Sequence, residues 1–192
     1  SNARLDIFRI NASTGAVTAL TAVTQDTSSN ALPFTQARLE RMTITQNADV
    51  MFVAHPDFMI RKITRTSATA FEVSTFEFDE TDANDQKFQP YFAFATSGTT
   101  LTPSATSGSG VTLTTSANYF NSAHVGTIIR YKGNEILITG FTSATVATGT
   151  VRKTLASTTA DTDFDEASYS DYRGYPQAIT FHEDRLWLGG TT

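Results

Sequence analysis

Val50-Met51-Phe52-Val53-Ala54-His55-Pro56-Asp57-Phe58-Met59-Ile60-Arg61-Lys62-Ile63-Thr64-Arg65 is the stretch whose reading decides the fold. Residues 50–55 are an apolar run rich in β-formers. In 58–66 the apolar Phe58, Ile60 and Ile63 are interleaved with Arg61, Lys62 and Arg65, the pattern of a strand with one solvated face. Between them His55-Pro56-Asp57 reads as a turn, because Pro56 fixes φ and Asp57 starts the bend. After a Ser67-Ala68-Thr69 turn, Phe71, Val73, Thr75 and Phe76 continue the pattern, so 58–66 and 70–77 form a hairpin.

The same signals recur along the chain. Further strands are expected at residues 5–10, 16–23, 41–45 and 90–95, whereas the best helical candidate, 36–42, is short. Residues 79–87 are acidic, polar and without apolar side chains, and read as an exposed loop. Residues 96–110 are Thr-Ser-Gly repeats with little to bury. Five short strands follow between Val111 and Leu155, and suggest a small barrel or curled sheet with Phe120, Val125, Ile129, Ile136, Ile138 and Val151 as its core. Residues 158–167 are again acidic and loop-like. Two strands, 178–181 and 185–188, then pair around His182-Glu183-Asp184, in a region rich in aromatics: Tyr169, Tyr172, Tyr175, Phe181 and Trp187.

The expected fold is therefore all-β. It comprises an antiparallel sheet or sandwich domain over 4–97, a Ser/Thr/Gly linker over 98–110 and a small β-barrel-like module over 111–157. Residues 158–192 read as a linker and the first hairpin of a truncated β-domain, since a lone hairpin is marginal in water. Ser1-Asn2-Ala3 reads as the scar of a cleaved expression tag.

Composition narrows the function classes. The 192 residues carry a net charge of -5, and the basic residues are scattered without aromatic interleaving, which argues against sequence-specific nucleic-acid binding. No signal-peptide pattern or membrane-length apolar run is present. With no cysteine, neither disulfides nor thiolate metal sites are available. Charged residues are 17% of the chain while Thr, Ser and Ala abound, giving the neutral, hydroxyl-rich surface common in extracellular and virion β-proteins.

No catalytic constellation is legible. His55, His124 and His182 lack the spacing of a metal motif. His55-Pro56-Asp57 and His182-Glu183-Asp184 suit turns better than acid/base groups. The pairs Asp163/Asp165 and Asp79/Asp82 would serve a glycosidase only if set across a cleft. Ser107-Gly108-Ser109-Gly110 lacks the Gly-Lys-Ser/Thr ending of a phosphate loop. The expected catalytic, cofactor-binding and metal-binding residues are thus none.

Two stretches are more distinctive. Ala48-Asp49-Val50 leading through His55-Pro56-Asp57 to the basic strand Arg61-Lys62-Ile63-Thr64-Arg65 is one. The other is Gly174-Tyr175-Pro176 followed by Phe181-His182-Glu183-Asp184-Arg185-Leu186-Trp187-Leu188-Gly189-Gly190-Thr191. In content, order and separation they resemble segments of bacteriophage tail structural proteins of the nozzle or tail-tube type found in short-tailed phages. Between them, Leu113 to Val151 is similar to the small β-module of those proteins, itself similar to the FCCH domain of ubiquitin-activating enzymes. The resemblance spans roughly Arg38 to the end. It implies a non-enzymatic virion tail component made in the bacterial host cytoplasm, partnered by copies of itself in a ring and by other tail proteins, with no membrane partner and no cofactor. The alternative is a carbohydrate-binding adhesin module making weak glycan contacts, for which Tyr169, Tyr172, Tyr175 and Trp187 are stacking candidates, although the core of the truncated domain is their expected place. A tail-associated polysaccharide hydrolase is the third reading.

Overall fold

Tight turns set the strand pairings in the computed structural model, which describes residues 3–79 and 87–190. The chain divides into two units. One is Ser1–Glu77 together with Gly174–Thr192, and the other is Phe78–Arg173. Nearly every element is an antiparallel strand, so the all-β class holds.

In the first unit, β1 (Leu5–Ile10) and β2 (Val17–Val23) form a two-stranded arm with a bulge opposite Ile7 and Phe8. A single helical turn, α1 (Gln36–Leu39), is all that the 36–42 candidate delivers. β3 (Thr43–Asn47), β4 (Val50–His55), β5 (Phe58–Arg65) and β6 (Phe71–Thr75) pair in sequence order into a four-stranded sheet. Two-residue loops join the first three of these: Ala48-Asp49 links β3 to β4, and Pro56-Asp57 links β4 to β5.

The four-stranded sheet is covered on both sides, which explains why 50–54 is continuously apolar instead of alternating. Val53, Ile63 and Val73 pack with Leu32, Phe34 and Phe58, while Ala54 and Ile60 pack in a second cluster with Phe52 and Phe76. Complete burial of an Ile such as Ile60 contributes about 2 kcal/mol from the hydrophobic effect alone.

The second unit is one curled sheet. Its strands are β7 (Tyr91–Phe92), β8 (Leu101–Pro103), β9 (Gly108–Thr115), β10 (Ile128–Tyr131), β11 (Asn134–Ser143), β12 (Val146–Val151) and β13 (Phe164–Ala167). They are ordered β7-β13-β10-β11-β12-β9-β8. Curling brings Leu101 to Asp161, where each N–H meets the other's carbonyl at 2.8 and 3.1 Å. The edge strands β7 and β8 do not pair, so the sheet is not a closed barrel. Leu101, Leu113, Ile129, Tyr131, Ile136 and Ile138 form the centre of its core. At Gly149, a Cβ would sit 2.8 Å from the Ile136 side chain and 2.9 Å from the Leu137 carbonyl, so a glycine lets β11 and β12 approach.

The chain then returns to the first unit as β14 (Ala178–His182) and β15 (Arg185–Gly189). Glu183 and Asp184 make its two-residue turn with φ of 48° and 59°, the left-handed pair that suits a hairpin's twist.

The observed boundaries correct several expectations. Residues 98–110 are not a linker: they hold β8 and the start of β9, and Leu101 is fully buried because Thr and Leu alternate there as in any half-buried strand. The module is not confined to 111–157, since β7, β8 and β13 belong to the same sheet. Residues 164–167 are a strand and not loop. The hairpin at 178–189 packs Ile179 against Ala54 and Ile60, within the first unit, and does not stand apart as a new domain. Val125 is 45% exposed, because the turn at Ser122–His124 points it outward; Phe120, Ile129, Ile136 and Ile138 are core as expected. The bulk of the acidic loop, 80–86, with Asp82, lies outside the described residues, as do Ser1 and Asn2 of the expected tag scar.

Candidate functional site

The strongest concentration of chemistry is a carboxylate that no motif announced. Glu166, on β13, is fully buried and faces four donors' worth of partners. Arg173 grips it with two hydrogen bonds, Nε to Oε1 at 2.5 Å and Nη2 to Oε2 at 2.9 Å. The Tyr119 hydroxyl donates to Oε2. His124 Nδ1 accepts the Asn121 N–H at 2.8 Å, which puts the imidazole proton on Nε2, 3.3 Å from Oε2.

Local sequence explains how His124 arrives there. Asn121 caps the short turn Ser122–His124 through its side chain, and His124 completes a reciprocal capping box. The Tyr172 ring lies against His124, 4.3 Å between centroids with the planes inclined at 45°, and the Arg173 guanidinium lies 4.1 Å from the Phe94 ring centre.

Burial alone would raise the Glu166 carboxyl, but the hydrogen bonds from Arg173, His124 and Tyr119 overcome it and bring it down to about 2. Tyr119 is pushed far above the phenol range, by burial first and then by the Glu166 charge beside it. At neutral pH the carboxylate is thus ionised and already saturated with donors. Such a group holds a structure together; it has no proton to give and its lone pairs are occupied.

A second buried carboxylate, Glu135, accepts from the Lys87 N–H at 2.8 Å and from the Tyr91 hydroxyl at 2.5 Å. Arg130 lies 3.9 Å over the Tyr91 ring and forks onto Asp165 at 2.9 and 2.5 Å. Asp165 is therefore committed to Arg130, and Lys132 Nζ binds Asp161 at 2.7 Å. Asp163 and Asp165 do not face one another across a cleft as a glycosidase pair would need; they flank Phe164 on and beside β13.

The three histidines stay separate in role. His55 is buried at the end of β4, stacked on Phe58 at 5.1 Å, and its Nδ1 accepts the Asp57 N–H at 3.1 Å. This makes His55-Pro56-Asp57 a turn lock. Burial lowers the His55 pKa, assisted by Arg41 and Arg38 and opposed by Asp57. His182 is exposed on its hairpin beside Glu183. Among the described residues no group of three His, Asp or Glu side chains is placed to hold a metal.

The aromatic candidates divide between the units: Tyr169 and Tyr172 belong to one, Tyr175 and Trp187 to the other. None is fully buried, and Trp187 is 55% exposed. Compared with family models and with curated proteins, the chain matches none.

Proposed function

We propose that this chain is a structural component of a bacteriophage tail, acting through assembly with copies of itself and with other tail proteins and not through catalysis. The observation that carries the reading is where the two resemblance-bearing stretches meet. More than a hundred residues apart in sequence, they build one another's support: the Tyr175 N–H donates to the Pro56 carbonyl at 2.9 Å, and Ile179, between the two parts of the second stretch, packs on Ala54 and Ile60 of the first. Phe52 meets Phe181 edge-on at 5.7 Å. The distinctive residues thus do packing work, as expected of a scaffold signature; the buried polar groups nearby, including His55, serve turns.

The reading predicts that particles purified by density from an induced phage culture contain peptides of this protein at several copies per particle, measured by quantitative mass spectrometry. Its absence from particles, with the protein abundant in the lysate, overturns the proposal. A second reading, a glycan-binding module, draws on the exposed Phe88, Phe92 and Tyr172 of the second unit. Binding on a glycan array that is lost in Phe92→Ala would favour it.

A further inference from the structure

Beyond the bulge, the β1–β2 arm leaves its own unit: every residue from Phe8 to Ala19 is exposed. Cross-strand register puts Ile10 opposite Val17 and Phe8 opposite Ala19, so these four side chains share one face. Phe8, Ile10 and Val17 are 57%, 68% and 63% exposed. Together they present on the order of 300 Å² of apolar surface, about the largest patch an ordinary monomer shows. Between Asp6 and Asp26 the only charge is Arg9. Natural edge strands are normally protected by charge or by cover, and an isolated two-stranded hairpin is marginal in water, so this arm is built to be covered.

At the root of the same arm lies a mainly apolar groove of about 180 Å³, formed by Leu5, Phe34, Leu39, Met42 and Ile44 with neighbouring sheet residues, and bordered by Arg4, whose charge is paired with Asp6 at 2.6 Å. Leu39 and Ile44 are each 59% exposed on its rim. The groove has room for a large aliphatic or aromatic side chain. The arm of the same chain cannot fill it, because Leu5 lines the groove while Ile10 lies about 17 Å further along the extended strand.

We infer that the apolar face of the β1–β2 arm docks into the arm-root groove of a second copy of this chain, each copy offering one arm and receiving one. Both halves of the contact are mainly apolar and carried by one unit, and the one charged side chain lining the groove, Arg4, is paired with Asp6. A single arm in a single groove would bury on the order of 600 Å², too little for a stable pair; two such contacts per copy reach about 1,200 Å², the lower bound of specific interfaces. Because arm and groove are different surfaces on each copy, both contacts fall in one interface when two copies exchange arms reciprocally. The inference deepens the self-assembly in the proposed function and rests on that reading for its biological setting.

The cysteine-free sequence makes the test direct. Ile10→Cys and Ile44→Cys are prepared as separate full-length chains, mixed and oxidised. The expected product is a mixed disulfide between the two variants in excess of either like-with-like product. In sedimentation velocity the wild type shifts to larger species between micromolar and millimolar concentration, and Ile10→Ser/Val17→Ser stays monomeric with unchanged far-UV circular dichroism. A wild type that is monomeric throughout, or mixed disulfide no more abundant than like pairs, overturns the inference and leaves the arm to a different partner. Presence of the protein in particles with no excess of the mixed Ile10→Cys/Ile44→Cys disulfide in solution rejects this contact alone, whereas formation of that disulfide by a protein absent from particles rejects the virion role alone.

Discussion

The two units solve the same problem, how to finish a β-sheet, in opposite ways. Phe78–Arg173 finishes from within: its sheet curls until Leu101 meets Asp161, and the carboxylate it buries at Glu166 is answered by donors from Arg173, Tyr119 and His124. The other unit covers both faces of its four-stranded sheet but sends a nearly uncharged apolar arm into solvent and keeps a groove open beside it. The lesson is that a buried charge with all its partners present marks a self-contained fold, while an uncovered apolar face on a regular strand pair marks a surface awaiting a partner.

The contrast can be broken most forcefully at Glu166. Replacing it, as in Glu166→Gln, leaves the half-buried Arg173 without its counter-charge and is expected to cost about 3 kcal/mol. Trp187, the sole tryptophan, lies in the other unit, so urea unfolding followed by far-UV circular dichroism should shift markedly while the Trp187 fluorescence transition moves little. Equal shifts in both signals would end the claim that the second unit is held together on its own. A smaller effect is expected at Gly149→Ala, where the added methyl meets Ile136 and the Leu137 carbonyl: about 2 kcal/mol from overpacking, read in the same experiment.

Acid should separate the units next. The Glu166 carboxyl falls from 4.5 to about 2 on folding, so its contribution is full above pH 4.5 and is lost as pH falls toward 2. His55 has a folded pKa below its ordinary 6.5, so its neutral, buried form favours the fold above pH 6.5 and the stabilisation declines as pH drops below that value. On acidification at fixed mild denaturant, the Trp187 signal is expected to respond first, and His55→Gln should flatten that early response. If the circular dichroism of Glu166→Gln and wild type fall together near pH 6, this ordering is wrong.

The smallest effect should be at the arm. Ile10→Ser removes a side chain that touches solvent, so chemical denaturation of the monomer should move by less than about 0.5 kcal/mol. A large loss would mean that the arm is part of its own unit's core, and would erase the difference between the two units.

Much of this was legible in residue order, and the reason is local. Strands 5–10 and 50–55 were read with the bounds observed, and 58–66 to within one residue, because alternation and short turns are properties of neighbouring residues. The 96–110 stretch was misread because its Thr and Ser residues look like linker when only composition is weighed, while one buried Leu101 makes it a strand. The Glu166 site was invisible: Tyr119, His124, Glu166 and Arg173 span 55 residues and carry no fixed spacing. The only hint was that Glu166 stands two residues after Phe164, on the same face of a strand, and it was absorbed into an apparently polar loop. By itself, then, the sequence determined the all-β class, the hairpins and the turn chemistry, since these depend on side chains a few positions apart. Only the tertiary structure decided that the final hairpin completes the first unit, that Glu166 is the polar keystone of the second, and that Phe8, Ile10 and Val17 stay uncovered, because burial is set by what the far ends of the chain bring to the same place.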